Sequence, residues 1–250
     1  MRYFLDISYK GTHYHGWQIQ QNAHTVQEAL NKALEMILQH PIESAGSGRT
    51  DTGVHAKQQW VHFDSEIELT NYKHLIKFNA LLPSDVVVNK IYKTTKADAH
   101  VRFDAIAREY EYILSPVPNP FLKELAGFIF KKLDIELMNK AAKILLKHKD
   151  YECFSKVAQN QENHLCNITK AEWTQKDGLL IFNITANRFL RGMVRLIVGT
   201  LIEVGQGKRS VSDFENLIIS KNLQKTAAAA PADGLYLSKV IYPEGLLIEC

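Results

Sequence analysis

Cysteine is scarce in this 250-residue chain: only Cys153, Cys166 and Cys250 occur. An odd number without framework spacing excludes a disulfide-stapled scaffold and fits free thiols in a reducing compartment. Long apolar runs are missing as well. The longest strongly apolar stretch, 196–202, contains Gly199 and Thr200 and falls far short of the roughly 20 residues that cross a bilayer. Residues 1–6 lack the apolar core of a signal peptide. Neither sign of charge dominates, since 30 Lys and Arg against 27 Asp and Glu leave +3. Any basic surface must therefore come from local clustering. Metal-ligand spacing is absent: His148 with Cys153, and His164 with Cys166, form no matched pairs, and His13 and His15 stand alone. No metal is expected. What is present is 46% hydrophobic and 23% charged residues, ordinary for a globular protein of one large or two smaller domains. A cytoplasmic protein with no membrane partner is expected.

Polar Asp6 and Ser8 alternate with apolar neighbours over 4–9, which predicts a strand ended by Gly11 and Thr12. Thr25 and Glu28 have capping-box spacing. Behind them Val26, Ala29, Leu30, Ala33, Leu34, Ile37 and Leu38 line one face of a helix that stops near Pro41. Further strands are predicted near 60–63, 86–92, 108–114, 171–174, 179–186 and, closing the chain, 235–240. Further helices are predicted near 72–82, 135–148, 188–204 and 211–219, with a flexible alanine run at 227–230. On a helix over 188–204, Arg188, Arg191 and Arg195 would share one face. Strands and helices appear in both halves without regular βαβ alternation. That favours an α+β fold, with helices on largely antiparallel sheets. The expected division is a lobe over 1–104 and a lobe over 105–250, with a cleft between them where ligands prefer to bind.

The loop Gly46-Ser47-Gly48-Arg49-Thr50-Asp51-Thr52-Gly53 is the most informative segment. Glycines let a ligand approach a backbone closely, and here they surround a carboxylate next to Arg49, with His55 four residues on. No Gly-Lys-Ser/Thr follows, so this is not a P-loop. Pattern alone goes no further than a candidate carboxylate site, and an Asx-turn or a surface loop is the commoner origin of a single aspartate in a glycine-rich turn.

The segment 48–56, Gly-Arg-Thr-Asp-Thr-Gly-Val-His-Ala, resembles the signature of the TruA family of tRNA pseudouridine synthases. Four more segments resemble that family in the right order: 9–18 with Gln20 and Thr25-Val26-Gln27, then 108–113, then 189–195 with Gly199, then 230–237. Thr52 and Gln58 depart from the usual alanine and glycine. The resemblance implies a pseudouridine synthase fold and the isomerisation of uridine to pseudouridine in the anticodon stem-loop of tRNA, at positions 38–40. It further implies a homodimer, no cofactor, and one catalytic aspartate, here Asp51. It places Arg195 as the cation beside that carboxylate and Tyr110 as the residue contacting the base, while Tyr112, two residues on along the same strand face, reads from its position as the core residue of the pair. Arg49 would grip a phosphate or hold the loop. Lys73, Lys77 and Lys90 would add positive charge. The alternatives are a related synthase with other tRNA positions and an RNA-binding module without catalysis.

Overall fold

The computed structural model describes residues 1–156 and 163–250. Spatial proximity divides them into two units: Met1–Ile106 together with Tyr236–Cys250, and Ala107–Leu235.

The first unit opens with β1 (Arg2–Tyr9), α1 (Val26–Leu38), β2 (Ala45–Gly46), β3 (His55–Asp64), α2 (Asn71–Leu81) and β4 (Val86–Thr94). β1 is central, antiparallel to β3 on one side and β4 on the other, with Leu5 opposite both Val61 and Ile91. Phe4, Leu5 and Ile7 are fully buried. Each such side chain contributes roughly 1.5–3 kcal/mol relative to exposure. Thr25 caps α1 by accepting from Glu28 N at 3.3 Å. The expected capping box is only half made, because the Glu28 carboxylate turns to Lys32 at 2.6 Å instead.

His62 on β3 illustrates what burial does to a polar side chain here. Its Nδ1 accepts from Val101 N at 3.1 Å, and its ring meets Phe4 and His100. Burial, with the nearby charges of Arg2 and His100, pushes its pKa down to about 4. The unfolded chain takes up this proton near pH 6.5, and the folded chain does so only near 4. The stability that neutral His62 confers is thus complete above about 6.5 and is lost as pH falls towards 4. A loss of roughly 2 kcal/mol is expected between pH 7 and 4.5. Urea unfolding of wild type and His62→Gln at both pH values checks this, since the variant should show a shallower decline.

The second unit holds β5 (Ala107–Ser115), β6 (Gly127–Phe128), α3 (Ile135–Ile144), β7 (Ile168–Lys176), β8 (Leu179–Ala186), α4 (Met193–Gly205) and α5 (Val211–Ser220). β8 lies between β5 and β7, antiparallel to both, and β6 runs parallel to the end of β5. Trp173 and Phe182 face each other across β7 and β8 at 5.1 Å. α3 lies against β7, α4 and α5. β9 (Leu235–Ile241) and β10 (Leu247–Glu249) then complete the first unit. β9 pairs parallel with β3, and β10 antiparallel with β4. Both units mix helices with mostly antiparallel strands, as expected for α+β.

Three expectations need correction. α4 begins at Met193, not near Arg188, because Gly192 sits in the left-handed region at φ +71°. Arg188 and Arg191 therefore precede the helix and share no helical face with Arg195. The alanine run is not loose. Thr226 Oγ1 donates to Cys153 O at 2.7 Å, and Ala230 N donates to Arg195 O at 2.9 Å, so both ends are tied down. Finally, β9 does not close the chain, since β10 follows it.

Candidate active site

The Asp51 loop is seated on the segment that follows β1. Gly16 takes φ +90°, and a β-carbon built there would come within 2.5 Å of Thr50 O. This close approach lets Trp17 N donate to Thr50 O at 3.2 Å, while Gly53 N donates to Tyr14 O at 3.3 Å. Val54 N closes the turn onto Asp51 O at 3.1 Å. Thr50 points inward, its hydroxyl 2.8 Å from that of Tyr9 in a buried pair. Arg49, one residue earlier, is exposed, and Asp51 is half-buried. The loop thus alternates out, in and halfway, which leaves the Asp51 side chain on a fixed backbone at the surface of the unit.

β3 starts only four residues beyond Asp51, and its first residues stiffen the loop's exit. His55 Nδ1 accepts from Gly11 N at 3.0 Å, and its ring stacks on Tyr236 at 4.7 Å. On the entry side, Gln59 Nε2 donates to Gly48 O at 2.8 Å and Ser47 N to Trp60 O at 2.8 Å. Trp17, Tyr9 and Gly16 were not apparent as supports from pattern alone. Their signal was the run of aromatic and glycine residues over 9–17, which carries no periodicity. Thr52 is exposed, so its extra hydroxyl relative to alanine costs nothing in packing. Gln58 gains a task that a glycine lacks: it donates to Asp6 Oδ2 at 2.9 Å and accepts from Val240 N at 3.1 Å.

Tyr110 and Arg195 lie in the second unit. Tyr110 stands on β5 opposite Ile184, half-exposed, with the Phe189 ring edge-on at 5.1 Å. Phe189 lies within the stretch 188–204 predicted as helix. It instead occupies the turn before α4 and holds the Tyr110 ring. Arg195, on the first turn of α4, donates from Nε to Ala230 O at 2.7 Å. Together with the Ala230 N bond to Arg195 O, this fixes the stem of the guanidinium. Tyr112, two residues after Tyr110, is fully buried, and burial raises its pKa. Asp233 pushes it further up and Arg195 opposes, so both charges lie near the phenol. Of the three lysines, Lys90 is paired with Glu249 at 2.9 Å, while Lys73 and Lys77 are exposed on α2.

One cluster with metal-ligand chemistry was not foreseen. Asp150, Glu152 and His164 bring their ligand atoms within 4.8 Å of one another. Lys221 is already paired with the Asp150 carboxylate, so the cation this cluster needs is supplied by the chain itself.

Residues 7–104 and 141–243 match the sequence model of a family described as tRNA pseudouridine synthase. The chain belongs to the tRNA pseudouridine synthase family. It is 47% identical to the tRNA pseudouridine synthase A of Bacteroides fragilis over 245 residues, covering 97% of each chain. Identity to the protein of that name from Bacteroides thetaiotaomicron is 44% over 251 residues, 99% of this chain and 93% of the other. The Staphylococcus aureus protein of that name is 36% identical over 251 residues, all of this chain and 94% of the other. Arg49, Asp51 and Arg195 fall inside the two family-matched stretches, and Tyr110 falls between them. No helix among the described residues is long and apolar enough to cross a membrane.

Proposed function

We propose that this chain isomerises uridine to pseudouridine in tRNA, with Asp51 as its catalytic residue and the anticodon stem-loop, positions 38–40, as its target. The observation that carries this reading is the near-complete alignment with relatives named tRNA pseudouridine synthase A. The Asp51 loop, anchored at both ends by backbone bonds, supports the choice of carboxylate. The reaction breaks the bond from uracil N1 to C1′, turns the base, joins C5 to C1′ and returns the C5 proton to N1. Substrate and product are isomers, so no redox partner or cofactor is required. An ionised Asp51 would begin the reaction either by adding to C1′ or by removing the 2′ proton.

The remaining roles follow from chemistry. Arg195 supplies the cation that the reacting carboxylate calls for, since an unpaired charge withdrawn from water is costly. Tyr110 stacks on the extruded base, a contact worth roughly 1–3 kcal/mol. Arg49, exposed beside Asp51, holds a phosphate as the base leaves the stack. The active unit is a homodimer working in the cytoplasm, where its tRNA substrate resides. Mapping pseudouridine in unmodified tRNA transcripts treated with the purified protein tests the reading. New pseudouridine confined to 38–40 supports it, modification elsewhere points to the related synthase of different specificity, and none at all points to the RNA-binding module.

The two tyrosines of β5 should behave oppositely. Tyr110→Ala should lower turnover by tenfold or more, and Tyr110→Phe shows whether ring or hydroxyl is used. The Tyr112 hydroxyl is buried with no hydrogen-bond partner among the described residues. Removing such a group is neutral or stabilising. Tyr112→Phe should thus keep its activity and unfold at the same temperature or a slightly higher one. Thermal scans and single-turnover assays on the three variants decide it, and a large activity loss in Tyr112→Phe would contradict the assignment.

A further inference from the structure

Outside the site, the largest exposed aromatic side chains of the second unit gather between β5 and α3. Strand alternation in β6 turns Gly127 inward and Phe128 outward, and Phe130 follows on the same side. The two rings meet edge-to-face at 4.7 Å, yet Phe130 remains 80% exposed. Val117 is exposed as well, and Ser115 links its segment to theirs, Oγ donating to Val117 O and the carbonyl accepting from Ile129 N. Phe121, in the turn that leads to β6, is 87% exposed. Two rings this exposed and in contact with each other mark an interaction surface rather than scatter.

The charges around the rings select the partner. Residues 115–136 contain Lys123, Lys131 and Lys132, all exposed, against the half-buried Glu124, the exposed Glu136 and Asp134, whose carboxylate is engaged in capping α3 by accepting from Leu137 N at 2.9 Å. A second copy docking across a two-fold axis would gather the lysines of both chains at one interface. A polyanion that also offers flat apolar faces satisfies both features. Unpaired nucleotides do so, because their bases stack on aromatic rings while their phosphates meet lysine. Paired bases within a stem cannot reach the rings.

We propose that Phe128, Phe130, Lys131 and Lys132 form a second RNA contact, separate from the Asp51 loop, that holds unpaired nucleotides of the tRNA. The inference rests on the tRNA reading above. Phe130 is the residue to change, because its exposure keeps the fold out of the question. Binding of an unmodified tRNA transcript is titrated at several salt concentrations, with sedimentation to give the mass of each variant. Phe130→Ala should weaken binding on the order of tenfold, as loss of one stacked base does. The slope of log K against log salt should not move, because stacking releases no counterions. Phe130→Leu should fail to restore affinity, and Phe130→Trp should restore it. Replacing Lys131 and Lys132 together by alanine should flatten the slope by about one to two contacts.

Affinity within twofold of wild type for both Phe130→Ala and Phe130→Leu overturns the proposal. So does recovery in Phe130→Leu together with a halved mass in Phe130→Ala, which would assign the surface to a second copy. Failure of the enzymatic reading shows separately, as absence of pseudouridine with the wild-type protein in the same tRNA mixture.

Discussion

Asp51→Asn should reduce pseudouridine formation by 10³-fold or more while tRNA binding changes by less than tenfold. Asparagine matches aspartate in size, and the bonds that seat the loop are made by backbone: Trp17 N to Thr50 O, Gly53 N to Tyr14 O and Val54 N to Asp51 O. None of them needs the carboxylate. The negative charge is what disappears, and both routes to C1′–N1 cleavage depend on it. No other acid stands in the loop, where the neighbours are Arg49, Thr50, Thr52 and Gly53. Losses of this size accompany removal of a group that a mechanism cannot replace. Single-turnover conversion and a binding titration on one preparation supply the comparison. Near-normal conversion by Asp51→Asn would refute the assignment of the catalytic residue.

Gly16→Ala should lower turnover by about 100-fold, although Gly16 bears no reactive group. Its φ of +90° is costly for an L side chain. The new methyl would also lie 2.5 Å from Thr50 O and 3.3 Å from Asp51 C. Those atoms are backbone and cannot rotate away, so either the 14–17 segment or the Asp51 loop must shift. Displacing a catalytic group by about 1 Å costs on the order of 100-fold in rate. Stability should fall by roughly 1–3 kcal/mol as well. Rates are therefore normalised to the folded fraction measured by circular dichroism. Full activity per folded molecule would mean that Asp51 does not depend on this seat.

What could be read from the residues divides along the range of the interactions. α1 announces itself, because Thr25 and the spacing of Leu30, Ala33 and Leu34 are local signals. The Asp51 loop stands out by its glycines and its motif. Its seat on Tyr14–Trp17 does not, because that contact joins segments some thirty-five residues apart with no shared period. The start of α4 misleads for the opposite reason. Arg188, Arg191 and Arg195 imitate helical spacing, and only the left-handed backbone of Gly192 breaks it. The half-made box at Thr25 is a case of competition: Lys32 draws Glu28 away from the helix end. β9 escapes notice as a partner of β3 because parallel pairing of distant strands leaves no trace in either segment alone.

That last pairing bears on how the protein is made. The first unit is interrupted in sequence, since its β3 and β4 are covered by strands drawn from residues 236–250, whereas the second unit is one unbroken stretch. As the chain leaves the ribosome from its N-terminus, the second unit has all its strands before the first does. Until residues 235–249 emerge, the edges of β3 and β4 that accept β9 and β10 stay open. A nascent chain of this topology carries two unsatisfied strand edges from the emergence of β3 and β4 until β9 and β10 follow, and the strand that starts just after Asp51 is one of them.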